Sequence, residues 1–311
     1  MLVLKPFMTF KTIVTGGSGL AGRYLSKIMP DAVYLSSKDY DLTSEIQVQK
    51  MFDALKPTCV IHLAARVGGI IDNMQHPADY FLVNTKMNTL LVEYAYKFKV
   101  DRFIGVLSSC IYPDALDTYP IKEDDLHKGP PTPTNFSYGY AKRNLAVQID
   151  AYNQQYNLGY QYVTPCNLFG AGDKTDERKS HFVAALIKKI VTAKKSKQDH
   201  IVLFGDGTPI RQFMHAGDFA GALKLLCMSD CRESFNICGE ETLTIAEIAA
   251  TALQACDAKE LKIIWDSSKP NGQLRKDISS EKFKKRFPDF KPTVLEEGIR
   301  KVYLEEYDKT S

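Results

Sequence analysis

A chain of 311 residues with 44% hydrophobic and 25% charged side chains has the balance of a soluble globular protein, long enough for one or two domains around a sizeable core. Its net charge of +3 is too small to point to a polyanionic partner. The basic stretch of Lys188, Lys189, Lys194, Lys195 and Lys197 lacks the interleaved aromatics that stack on bases, so nucleic acid is not expected. No apolar run approaches the roughly 20 residues of a membrane span, so no membrane partner is expected either.

The N-terminal MLVLKPFMTF has no basic leader and no small-residue cleavage pattern, and reads as a short extension before the first strand rather than a secretory signal. Thr12 to Thr15 is a strand. Gly16, Gly19 and Gly22 follow it as G-x-x-G-x-x-G at the start of a helix from about Leu20. In that context glycine lets the backbone turn tightly and approach a dinucleotide pyrophosphate at the helix N-terminus. Gly17, Ser18 and Leu20 complete the expected turn.

A second strand, Val33 to Leu35, is followed by Ser36, Ser37 and Lys38, where NAD-specific folds carry an acid for the ribose 2′-hydroxyl. Hydroxyls and an ammonium suit a 2′-phosphate, so NADP(H) is the expected cofactor. Asp39 would be the ribose acid if the strand ran longer, and Asp41 and Leu42 would then lie near the adenine edge.

Cys59 to Leu63 and Phe103 to Leu107 are further strands. Strand and helix alternating in this way predict an α/β fold, a Rossmann-type doubly wound parallel sheet running from Phe7 to Asn167. After Gly170 the pattern loosens into a charged segment, and a helix follows from about Phe182. His215 to Met228 is again helical, and Ser234 to Cys238 could return to the main sheet. The layout expected is discontinuous: 1–168 and 211–237 form the nucleotide-binding domain, and 169–210 and 238–311 form a smaller substrate domain.

Seven cysteines without paired C-x-x-C spacing read as thiols of a reducing, cytoplasmic compartment, and the scattered histidines give no metal signature. Tyr138-Gly139-Tyr140-Ala141-Lys142 carries the chemistry. Positions i and i+4 share a helix face, so phenol and ammonium can point into one cleft, and a nearby cation lowers a phenol's pKa. Ser108 lies thirty positions upstream. A ketone accepting hydride develops charge on oxygen and needs a proton donor and a hydrogen-bond donor beside it. Tyr138 and Ser108 suit those needs, with Lys142 depressing the tyrosine pKa and bonding the nicotinamide ribose. Cys110, two residues past Ser108, returns to the same side of the chain if the segment is extended.

In order along the chain, GGSGLAG, HLAA (62 to 65), LSSCIYP (107 to 113), Tyr138 with Lys142, and PCNLFG (165 to 170) resemble the extended short-chain dehydrogenase/reductase family. Val67-Gly68-Gly69-Ile70, Pro133-Thr134-Asn135, His181 and Gly207-Thr208-Pro209-Ile210-Arg211-Gln212-Phe213 narrow the resemblance to its GDP-sugar 3,5-epimerase-4-reductases. The resemblance implies 3,5-epimerisation and then NADPH-dependent 4-keto reduction of GDP-4-keto-6-deoxy-D-mannose to GDP-L-fucose, in a homodimer.

It implies Cys110 as base and His181 as acid on opposite faces of the sugar, alongside Ser108, Tyr138 and Lys142. Cofactor contacts are implied at Ala64, Ala65, Leu107, Pro165, Asn167, Leu168 and His181, and substrate contacts at Asn167, Lys189, Phe204, Arg211 and Asn271. Departures from the pattern are Cys166, Phe169, the Gly172-Asp173-Lys174 loop, Phe204 in place of a tryptophan, and Asn271 in place of an aspartate. Related 4,6-dehydratases carry an Asp-Glu pair where Ser109-Cys110 stands, so dehydration is not expected. A sugar-nucleotide epimerase with tightly held NAD and a non-catalytic NADP sensor are the alternatives left open.

Overall fold

The computed structural model describes residues 11–173, 182–269 and 271–307. His181 and the 174–180 stretch therefore lie outside the described residues, as do the first ten.

The expected alternation of strand and helix is present from the start: β1 (Thr12–Thr15), α1 (Leu20–Ile28), β2 (Val33–Leu35), α2 (Glu45–Leu55), β3 (Cys59–His62), α3 (Ile70–Gln75), α4 (Pro77–Lys97), β4 (Arg102–Val106), α5 (Phe136–Tyr156) and β5 (Gln161–Pro165). β1, β3 and β4 are buried at every position. Strands covered on both faces read as continuous apolar runs, as these do.

Beyond β5 come β6 (Asn167–Phe169), α6 (Phe182–Lys195), β7 (His200–Phe204), β8 (Ile210–Arg211), β9 (Phe213–His215), α7 (Ala216–Met228) and β10 (Phe235–Ile237). β10 does return to the main sheet, which is wholly parallel with strand order β10-β5-β4-β3-β1-β2. The order reverses between β1 and β3, and in an open parallel sheet that switch point opens a crevice at the carboxyl ends of the strands.

The chain ends with β11 (Leu243–Thr244), α8 (Ile245–Ala255), β12 (Lys262–Asp266), β13 (Arg275–Lys276), α9 (Glu281–Arg286) and α10 (Leu295–Glu306). Thr244 opens α8 with a capping box, its hydroxyl accepting the Glu247 N–H while the Glu247 carboxylate accepts the Thr244 N–H.

Two hydrophobic cores result. The larger surrounds the parallel sheet. The smaller joins α6, α8 and α10 with Phe169, Ile201, Leu203 and Phe213. The cores divide the chain differently from the sequence expectation at two places. Phe213 packs in the smaller core, whereas Ile278, Phe283 and Phe287 pack in the larger. Backbone pairing explains the second, since Ile121 N–H donates to Asp277 O and Ser279 N–H to Ile121 O, holding this late segment against the sheet domain.

Candidate functional site

The crevice begins at the turn after β1. Gly16 has φ +72°, and a Cβ there would sit 2.6 Å from the Ala64 nitrogen. A Cβ on Gly22 would meet the Gly17 carbonyl oxygen at 2.4 Å. The turn is pinned by Gly17 N–H to Leu35 O (2.8 Å) and Gly19 N–H to Gly16 O (2.9 Å). Gly19 is the N-cap of α1 and offers no side-chain cap, so the first-turn N–H groups from Leu20 onward have no intrahelical partner and lie at the positive end of the helix. Only backbone fits here, and backbone amides at a helix N-terminus suit a pyrophosphate.

At the end of β2, Ser36 donates both its N–H (2.7 Å) and its hydroxyl (2.8 Å) to one Asp39 oxygen. Those bonds hold the Asp39 carboxyl below its usual value. Asp39 therefore closes a turn beyond the strand and is not extended toward a ribose, leaving Ser37 and Lys38 exposed beside it. Asp41 accepts from the Thr43 hydroxyl and N–H, and the Leu42 side chain is buried in the larger core. Ala64 and Ala65 follow β3, Leu107 follows β4, Pro165 ends β5, and Asn167 and Leu168 lie in β6. All these positions sit at the carboxyl ends of strands or just beyond them. Cradle and rim together fit a dinucleotide.

Tyr138 and Lys142 lie one turn apart on α5. The Lys142 ammonium is buried and donates to the Val106 carbonyl (2.8 Å), and burial brings its pKa down to about 8. Beneath it runs a polar chain: Thr15 Oγ1 to His62 Nδ1 (2.8 Å), His62 Nε2 to Asn88 Oδ1 (3.0 Å), and Asn88 Nδ2 to the Ala141 carbonyl (3.0 Å). Burial first, and then the neighbouring Lys142 charge, bring the His62 pKa down to about 3.

The expected lowering of the Tyr138 pKa by Lys142 is not seen. Burial raises the phenol pKa and the Cys110 charge adds to the rise, while a hydrogen bond with Ser108 opposes it. The physical reason is that Lys142 is turned to the end of β4. A phenol held protonated is an acid, which is the form a reduction uses.

Cys110 reaches the site by a different route from the one expected. Residues Ser109–Ile111 form a 3-10 turn, not an extended segment, and the Ser108 hydroxyl caps it by accepting the Cys110 N–H (3.3 Å). The Cys110 sulfur receives Lys276 Nζ at 2.9 Å and Asn135 Nδ2 at 3.1 Å. Burial alone would raise the thiol pKa, but the Lys276 charge and the hydrogen bonds from Lys276, Ser108 and Asn135 outweigh it and the net shift is downward. Lys276 is the residue that sequence reasoning missed. No spacing rule connects it with a cysteine 166 positions earlier. The nearest signal was its place just past Asn271, a position already marked for sugar contact.

On the substrate side, β13 pairs with β8 so that Lys276 lies beside Arg211. The Arg211 guanidinium is fixed on the Ile210 carbonyl (2.8 Å) and the Gln273 carbonyl (2.5 Å). Phe204 is 62% exposed, with the ammonium groups of Lys189 and Lys269 over its ring at 5.3 and 6.0 Å. Lys189 also donates to the Val202 carbonyl (3.0 Å). The Asn271 carboxamide oxygen accepts the Asp206 N–H (2.9 Å), so Asn271 props the turn after Phe204. Asn167 donates to the Gln212 carbonyl (3.3 Å). Thus Ser108, Cys110, Asn135, Tyr138 and Lys276 come together. Phe204, Lys189 and Asn271 form a neighbouring patch, joined to Arg211 through Asn271–Gln273.

Against known proteins, the profile described as the NAD dependent epimerase/dehydratase family matches residues 12–238. The chain is 36% identical over 299 residues to a GDP-L-fucose synthase of Dictyostelium discoideum, covering 93% of this chain and 92% of that protein. It is 35% identical over 318 residues to a probable GDP-L-fucose synthase of Drosophila melanogaster, covering 96% and 98%. Among solved structures, a GDP-L-fucose synthetase from Naegleria fowleri bound to NADP superposes with a TM-score of 0.84 at 34% identity, covering 96% of this chain and 93% of that one.

Proposed function

Because this chain belongs to the NAD dependent epimerase/dehydratase family and, within it, to the GDP-L-fucose synthases, we propose how its residues divide the work of turning GDP-4-keto-6-deoxy-D-mannose into GDP-L-fucose. When bound, NADPH supplies the hydride for the 4-keto reduction. The Gly16–Gly22 turn and the first turn of α1 would hold its pyrophosphate, with Ser36, Ser37 and Lys38 at the 2′-phosphate. Tyr138 gives its proton to the developing alkoxide, Ser108 donates a hydrogen bond to the same oxygen, and Lys142 orients the cofactor ribose.

For the epimerisations, Cys110 removes a proton from a carbon flanking the ketone and His181 returns one on the opposite face. Arg211 and Lys189 take the diphosphate, while Phe204, Asn167 and Asn271 position the rest of the nucleotide-sugar. The larger core is the cofactor unit and the smaller core the substrate unit.

The observation that carries this reading is the junction at Ser108. Its hydroxyl accepts the Cys110 N–H and lies near enough to the Tyr138 phenol to work against the rise in its pKa, so one residue stands between an epimerisation base and a reduction acid. Purified protein mixed with the 4-keto sugar nucleotide and NADPH should consume NADPH and release GDP-L-fucose. Unchanged NADPH absorbance would sink the assignment.

We further place the enzyme in the cytoplasm as a homodimer. All seven cysteines are thiols, two of them, Cys59 and Cys227, sharing a hydrogen bond at 3.5 Å and no disulfide. The paired helices α4 and α5 turn Phe81, Phe136, Tyr140 and Val147 outward around one shallow apolar depression suited to a second copy. Sedimentation at micromolar concentration checks the second point, and a monomer would refute it.

A further inference from the structure

We propose that Lys276 is the counter-ion that holds Cys110 as a thiolate, so that the epimerisation base is an ion pair assembled across the cleft rather than a lone thiol. This deepens the reading of Cys110 given above and rests on it.

The geometry is specific. Lys276 Nζ lies 2.9 Å from the sulfur, and Asn135 Nδ2 approaches the same atom at 3.1 Å. Two donors aimed at one sulfur suit an acceptor that carries charge, since a neutral thiol accepts only weakly. Cys110 is also the one cysteine of seven that is partly exposed, the other six being buried. Partial exposure beside a fixed cation is the setting in which thiolates form and react.

The nearest acid on the same segment does not compete for the ammonium. Asp277 is engaged by Arg275 through Nε (2.7 Å) and Nη2 (3.0 Å). Nor does Arg211, the register partner of Lys276, replace it, because its guanidinium is anchored on two carbonyls. The charged or titratable groups that face the sulfur are therefore Lys276 from β13, Arg211 from β8 and Tyr138 from α5. Of these, Lys276 alone has its charge in contact with it.

In the step itself, the thiolate takes the proton from a C–H beside the ketone. The C–H electron pair becomes the C=C bond, and the carbonyl π pair moves to oxygen as an enolate. The sulfur becomes S–H; as the oxygen pair re-forms the carbonyl, the C=C pair takes a proton from an acid on the other face, and the thiol then gives its proton to solvent while the acid regains one from it. The negative sulfur also opposes ionisation of Tyr138, keeping the phenol protonated for the reduction that follows.

The test reads the sulfur without turnover. Full-length protein is alkylated with iodoacetamide across a pH series, and the Cys110 peptide is quantified by mass for wild type, Lys276→Met and Lys276→Arg. Wild type should inflect below the ordinary thiol value of about 8.5, Lys276→Met should move the inflection up by about one unit or more, and Lys276→Arg should restore most of the shift.

In parallel, deuterium from heavy water should enter C3 and C5 of the sugar nucleotide about tenfold more slowly in Lys276→Met, with KM little changed. A wild-type inflection at or above 8.5 overturns the proposal even if Lys276→Met fails to fold. A Lys276→Met protein with an unmoved inflection and a raised KM also overturns it, and makes Lys276 a diphosphate contact. No deuterium uptake by wild type would instead sink the epimerase reading, while the alkylation profile would still decide the ion pair.

Discussion

The two walls of the cleft are made of different material. The cofactor wall, from Gly16 to Gly22, is backbone: its hydrogen bonds are amide to carbonyl, and its specificity lies in the Cβ atoms it lacks. The reacting wall is side chain: Ser108, Cys110, Asn135 and Tyr138 meet Lys276 from the far end of the chain. A wall of backbone cannot be titrated and is disrupted by adding atoms. A wall of side chains is sensitive to charge and is disrupted by removing them.

The largest effect expected from that contrast is at Tyr138. Tyr138→Phe removes one proton donor and should lower kcat by about 10²–10⁴ while leaving NADPH affinity intact, as steady-state rates and a fluorescence titration would show. Gly16→Ala adds one carbon and should do the reverse. With φ at +72° and the Ala64 backbone 2.6 Å from the new Cβ, strain of about 1–3 kcal/mol should lower the melting temperature and weaken NADPH binding at least tenfold. If NADPH affinity survives Gly16→Ala, the cradle is not where the cofactor sits.

Gly139→Ala tests the reacting wall where α5 packs against the turn that carries Cys110. A Cβ there would lie 2.6 Å from the Cys110 carbonyl, so the 3-10 turn must shift. Deuterium exchange at the sugar and NADPH oxidation should fall together by about tenfold, since a misplacement near 1 Å costs that much or more. Loss of only one of them would break the link through Ser108.

A smaller effect is expected from acid. The native protein holds His62 at about 3 against an ordinary 6.5, so between those values the unfolded chain binds the extra proton and stability falls as pH drops. The decline should begin near pH 6.5 and be shallower by about one proton in His62→Gln, measured by denaturant melts. The smallest effect belongs to Asp39, an exposed acid that closes a turn. Asp39→Asn should leave the melting temperature nearly unchanged and NADPH preferred over NADH. A switch of preference would restore Asp39 as a ribose ligand.

Legibility in the sequence follows the same divide. The strands of the parallel sheet, the glycine turn and the return of Phe235–Ile237 to the sheet were readable, because glycine spacing and apolar runs are local signals. Tyr138 and Lys142 were readable as a helical pair, but the direction of Lys142 was not. Its bond to Val106 O depends on where β4 ends beneath α5, a tertiary fact. Lys276 was invisible for the same reason, since its meaning comes from a strand pairing and not from its neighbours. The 3-10 turn at Ser109–Ile111 was misread as extended because a serine cap followed by a short turn carries no periodicity to detect.

The pairing of β13 with β8 sets two cations, Lys276 and Arg211, side by side across two half-buried two-residue strands. With the Lys276 ammonium answered by the Cys110 sulfur, Arg211 leaves the group net positive, and its field draws in anions before contact is made. Capture of a dianionic nucleotide should therefore be steered, with an association rate that falls steeply as salt is added while the chemistry after docking does not.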